Sequence, residues 1–182
     1  MIELALIMAC APNVDPSTIQ AIIRVESGGN RLAVNVNRKN GVAYPMPAGI
    51  KSTGEAVSAS LSAISAGHTV DLGYMQVNSA NLKRLGYSVA DMFDPCKNIR
   101  AGATILSAAY AQALPKHGDE QAALRAALSA YNTGNFQRGF ANGYVQRYVP
   151  GIARSSLHEA YKAETAVDFS MRRLVWGKVT QE

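Results

Sequence analysis

At 182 residues, with 48% hydrophobic and 17% charged residues, the chain has the balance of one globular domain and falls outside the disordered class. Its 18 basic and 13 acidic residues leave a net charge of +5, which suits an acidic partner. The charges are scattered, however, and the densest basic group, Arg172, Arg173 and Lys178, is too sparse for a nucleic-acid footprint.

The N-terminal run MIELALIMAC is far shorter than the roughly 20 apolar residues that span a bilayer. It also lacks a basic start, which makes it a poor signal peptide, and a packed first helix is expected there. Cys10 ends the run. With Cys96 it reads either as two small buried thiols in a reducing cytosol or as one bridge in an oxidising compartment. Neither the cysteines nor His68, His117 and His158 fall at metal-ligand spacings, so no metal and no cofactor is expected.

The stretch DPSTIQAIIRVESGGN carries its own helix boundaries: Asp15 to cap, Pro16 at the first position, Gly28 and Gly29 at the exit. Within it Ile19, Ile22, Ile23 and Glu26 recur at i, i+3, i+4 and i+7, so the carboxylate points where the isoleucines point. A carboxylate at the edge of a core loses hydration, and its pKa rises toward the range useful for donating a proton at neutral pH. The competing reading is a glutamate turned to solvent or paired with Arg24 or Arg31.

Residues 30–52 switch to short β-prone runs, and Asn40-Gly41 marks a turn, which predicts a small β-hairpin or flap after this helix. A helix over 53–66 follows, with Ala56, Val57, Leu61 and Ile64 recurring near helical spacing and Gly67 as its exit. Residues 78–85, ended by Gly86, read as a short helix, and Asp94-Pro95 opens a longer one whose Ile99, Ala103, Leu106 and Tyr110 share a face. The alanine-rich segment 119–131 predicts a closely packed central helix. A further helix over 142–149 is expected to stop at Pro150-Gly151, with a partly helical or flexible tail from Ser155. The fold class is mainly α (α+β), one domain without internal repeats.

Three segments put polar residues among glycine and apolar residues where core packing does not ask for them: VESGGN at 25–30, DLGYMQVN at 71–78 and LSAYNTGN at 128–135. With DPCKNIRAGATIL at 94–106 and GYVQRYV at 143–149 they run in the order of the soluble lytic transglycosylase family, which the chain resembles over roughly residues 10–150. That family shares the goose-type lysozyme fold. The run DLGYMQVNSANLKRLG and the extra segment at 38–70 resemble the small transglycosylases of type IV secretion and conjugation systems. The resemblance favours a Cys10–Cys96 bridge and a periplasmic address, although an export signal is not evident in the chain. Tyr74 departs from the subgroup, standing where an apolar residue is usual.

The resemblance implies a lytic transglycosylase, a carbon-oxygen lyase that cleaves the β-1,4 bond between N-acetylmuramic acid and N-acetylglucosamine of peptidoglycan and leaves 1,6-anhydromuramyl ends. Glu26 would be its sole general acid and base. By motif match, Ser27 and Gln76 would hydrogen-bond beside the acetamido group, Tyr131 and Asn132 would position the sugar, Tyr144 would hold Glu26, and Met75 would line the groove. A core role suits Tyr131 and Met75 as well. Asp71, expected to hold the segment before Gly73, is the second acid a hydrolytic muramidase would use. A non-catalytic wall-binding scaffold is the alternative of another class. The expected organisation is a catalytic domain over 1–154 and an extension over 155–182 that could dock on secretion-system components, with no membrane span and no nucleic-acid partner.

Overall fold

The computed structural model describes residues 2–47 and 49–148. The expected stop at Pro150-Gly151 and the tail from Ser155 lie outside them. The chain starts with α1, Leu4–Cys10, which turns Ile7 and Cys10 inward and leaves Leu4 and Met8 half exposed. Helix α2, Pro16–Ser27, has the boundaries its sequence dictates. The Asp15 carboxylate accepts the Ser17 N–H at 2.8 Å, and Gly28, at φ 61°, closes the helix by donating its N–H to the Arg24 carbonyl. Ile19, Ile22 and Ile23 are buried, which anchors the helix along one face and brings Glu26 to the margin of the core.

Strands β1 (Val34–Val36), β2 (Val70–Leu72) and β3 (Val77–Asn78) form one antiparallel sheet in the order β1-β2-β3. Asn35 faces Asp71 across the first pair, and Asp71 faces Asn78 across the second. Asn40 and Gly41 do make the expected tight turn, with φ of 50° and 76° and a Lys39–Val42 bridge beyond it. Its arms do not build the sheet alone. β1 pairs instead with β2, some thirty residues on, and the hairpin proper is the one between β2 and β3, strands of three and two residues that carry no readable period.

Between β1 and β2 lies α3, Thr53–Ser65, whose buried residues are Ala56, Ser60 and Ala63, while Leu61 is 47% exposed. Val57 and Ile64 pack partly buried against the core beside Ala56, and of the spaced series Leu61 turns outward, while the small Ser60 and Ala63 let α3 approach closely. A 3-10 turn (Ser79–Asn81), α4 (Leu82–Leu85) and a second 3-10 turn (Ala90–Phe93) lead into α5, Pro95–His117. On α5 the predicted face of Ile99, Ala103, Leu106 and Tyr110 is buried.

Helix α6, Glu120–Thr133, lays Ala123, Ala126, Ala127 and Ala130 in the core and packs mainly on α5. The central helix is α5 rather than the alanine-rich α6, because α1, α6, β3 and the Ala90–Phe93 turn all pack on it. The helix expected over 142–149 is a 3-10 turn, Val145–Tyr148, preceded by α7, Arg138–Ala141. Gly143, at φ 76°, breaks the run, and the Asn142 side chain takes the Tyr144 N–H that a helix would have used. Cys10 and Cys96 are joined, Cα to Cα 5.2 Å, which ties the end of α1 to the start of α5.

Candidate active site

Glu26 occupies the penultimate position of α2 and is half buried. The chain returns to it 118 residues later, where the Tyr144 hydroxyl donates to Glu26 Oε1 at 2.5 Å. The Tyr148 hydroxyl lies 2.5 Å from that of Tyr144, and the two rings pack at a centroid distance of 5.1 Å. Tyr131, from α6, completes a group of three buried phenols around the carboxylate. Burial first, and the Glu26 charge second, push the phenols of Tyr131, Tyr144 and Tyr148 well above the usual tyrosine range. All three hydroxyls therefore stay protonated at neutral pH and act as hydrogen-bond donors.

The turn between β2 and β3 is built to hold its shape. Gly73, at φ 70°, presses so close to the Met92 carbonyl and the Asn98 amide that any side chain would collide with them. Asn98 of α5 donates to the Leu72 carbonyl at 2.8 Å and the Met92 carbonyl at 3.0 Å, and accepts the Met75 N–H at 2.8 Å. Gln76 adopts φ 50°, a conformation a non-glycine residue holds only when its surroundings enforce it. Here the enforcement is its own amide, which donates to the Gly73 carbonyl at 2.9 Å and the Ala33 carbonyl at 3.3 Å while accepting from Asn35 at 2.5 Å. The Met75 carbonyl in turn accepts the Tyr131 hydroxyl at 2.7 Å, so this turn and α6 are locked together beside Glu26.

Each residue proposed from the sequence can now be placed. Ser27 is half buried, its hydroxyl donating back to the Ile23 carbonyl at 3.0 Å. Gln76, 5% exposed, has both amide protons and one acceptor position engaged by the protein, leaving one oxygen lone pair without a partner among the described residues. Asn132 is partly exposed, and its side chain makes no hydrogen bond among the described residues. Met75 has no exposed surface; it packs against Gly102 of α5, beneath the site rather than in its wall. Tyr74 is half buried in the same turn. Asp71, 1% exposed, accepts side-chain amides from Asn78 at 2.8 Å and Asn37 at 3.2 Å, each on a different oxygen, and so braces the sheet.

Three participants were not singled out from the sequence: Asn35, Asn98 and Tyr148. Tyr148 had a signal, since it follows Tyr144 by four residues and a single helical turn puts the two side chains on one side. Asn35 and Asn98 act through contacts distant in sequence. Among the described residues no group of histidine, cysteine or carboxylate side chains could hold a metal ion.

A helix-end carboxylate under a tyrosine hydroxyl, beside a pinned Gly-x-Met-Gln turn and an Ala-Tyr-Asn helix end, forms the candidate site of a mainly α, lysozyme-like domain. The chain belongs to the transglycosylase SLT domain family, whose model matches residues 3–149. It is similar to the type IV secretion system protein virB1 of Brucella abortus, 42% identical over 152 residues, covering 80% of this chain and 62% of that relative. It is also similar to protein virB1 of Agrobacterium fabrum (39% identical, covering 76% of this chain and 54% of the relative) and of Rhizobium radiobacter (36%, covering 92% and 69%). The chain thus spans about six-tenths of the length of the Brucella relatives. No solved structure matches it.

Proposed function

We propose that the chain is a lytic transglycosylase that cleaves the β-1,4 bond between N-acetylmuramic acid and N-acetylglucosamine with Glu26 as its only acid and base. The observation that carries this reading is the contrast between two carboxylates. Glu26 is half exposed at a helix end and gripped by a tyrosine, while Asp71 is buried with both oxygens occupied by amides. A hydrolytic muramidase needs a second carboxylate free to activate water or attack the sugar, and Asp71 is committed to the sheet.

With one acid the nucleophile must come from the substrate. Glu26 protonates the leaving O4, and the acetamido oxygen of the muramic acid supports the positive charge that grows at C1. The Glu26 carboxylate then takes the proton of the sugar's C6 hydroxyl as that oxygen attacks C1. One C–O bond breaks and one forms within the same residue, no water is consumed, and the product carries a 1,6-anhydro ring. Asn132, partly exposed with its amide uncommitted, is the group best placed to bind sugar, and Ser27 and the free lone pair of Gln76 serve the acetamido group. The similarity to virB1 proteins supports a role in opening the wall for a type IV secretion apparatus in the periplasm, with the segment beyond residue 154 as a docking extension.

Mass spectrometry of peptidoglycan fragments tests the chemistry. Anhydromuramyl ends are expected, and Asp71→Asn, if folded, keeps that product. Reducing ends, lost in Asp71→Asn, would show instead that water is activated by a second carboxylate.

A further inference from the structure

We propose that Tyr148 is a positioning residue of this site: lying behind Tyr144, it donates its hydroxyl proton to the Tyr144 oxygen and thereby commits the Tyr144 proton to Glu26. Tyr148 is 0% exposed and touches no substrate, so whatever it contributes passes through Tyr144. Once Glu26 has given up its proton, proton counting fixes the direction. Each hydroxyl has one proton, and an ionised carboxylate can only accept. The Tyr144 proton is therefore spent on Glu26 Oε1, and the 2.5 Å contact between the two hydroxyls is made by the proton of Tyr148. The two rings pack tilted against each other, with centroids 5.1 Å apart.

A hydroxyl that accepts a hydrogen bond is polarised and becomes a better donor. The chain from Tyr148 to Tyr144 to Glu26 thus stabilises the carboxylate most when it is charged, which is when it has given its proton to the leaving oxygen. On the proposed reading of the site, the effect belongs to kcat rather than KM. The charged and titratable groups around the pair are Arg24 on α2, Arg147 on the same turn, Tyr131 on α6 and, beyond it, Asp71 on β2.

The test is the titration of the Glu26 carboxyl, followed by carbon-13 NMR, together with kcat and KM, in wild type, Tyr148→Phe, Tyr144→Phe and the double variant. Tyr148→Phe is expected to raise the Glu26 midpoint and lower kcat about 3- to 10-fold, the weight of one hydrogen bond, with KM within about twofold. In the Tyr144→Phe background the same change is expected to do nothing further, because its route to Glu26 is gone. Incorporating 3-fluorotyrosine at position 148, a stronger donor of the same shape, should shift the midpoint the other way, and this arm decides the matter even if Tyr148→Phe does not fold. An unmoved midpoint in both chains, or an equal shift with and without Tyr144, would overturn the proposal. A wild type that cleaves no peptidoglycan but shows these shifts would sink the catalytic reading and uphold the hydrogen-bonded chain.

Discussion

Glu26 is set apart from the other acids by the manner of its support. A surface glutamate has water for a partner, whereas Glu26 accepts from the buried Tyr144 hydroxyl, and its charge is felt by two further buried phenols, Tyr131 and Tyr148. Glu26→Gln keeps an oxygen to accept the Tyr144 proton but cannot donate and recover one. Turnover of peptidoglycan is expected to fall by about 10²–10⁴, with the far-UV spectrum and melting temperature near wild type. Activity within a few-fold of wild type from folded protein would remove Glu26 from the mechanism. The placement of Glu26 was legible in the chain, because an acid at i+7 from Ile19 falls on an apolar face, and the structure sets it half buried there; its role as acid and base was read from the family resemblance alone. The commitment of the Gln76 amide was not legible, since its partners Asn35 and Ala33 lie more than forty residues away and a single short motif says nothing of them.

Elements with strong local chemistry were readable and those defined by distant pairing were not. Asp15, Pro16 and Gly28 bound α2 by capping and backbone geometry alone, and the α5 face followed from its period. β2 and β3 exist because α5 and β1 hold them, so nothing within VDL or VN announces a strand. On α3 the period marked Ala56, Val57 and Ile64, which do pack on the core, but not Ser60 and Ala63, whose small size allows close approach. The same logic of close approach operates at Gly102, where an added Cβ would come within 2.6–2.8 Å of the Met75 side chain. Gly102→Ala is expected to destabilise the fold by about 1–3 kcal/mol, as overpacking does. Because Met75 carries the carbonyl that holds Tyr131, activity per folded molecule should fall as well. Urea denaturation paired with an activity assay checks both, and a variant as stable and as active as wild type would show that this packing is looser than its geometry.

At the scale of the whole molecule, the Cys10–Cys96 bridge spans 86 residues and joins the first helix to the central one. Constraining a loop of that length in the unfolded chain, or removing a native bridge of this kind, corresponds to about 2–5 kcal/mol. A Cys10→Ser, Cys96→Ser double variant should therefore melt roughly 5–15 °C lower by calorimetry. An unchanged melting temperature would mean that α1 docks without its tether. The buried phenols make a second demand on the fold as a whole. Tyr110 is pushed up to about 12, by burial first and then by Glu120 and Asp119, and Tyr131, Tyr144 and Tyr148 are raised well above their ordinary value. The folded state holds these protons more tightly than the unfolded chain, whose tyrosines ionise near pH 10. Stability from this source is therefore complete below about pH 10 and is lost as pH rises beyond it, because only the unfolded chain gains by ionising. Absorbance at 295 nm and far-UV circular dichroism, followed together from pH 8 to 12.5, should show these four phenols ionising in the same step in which the helices melt. Complete ionisation near pH 10 with the helical signal intact would mean that water already reaches the phenols, and that their burial beside Glu26 is looser than the structure draws it.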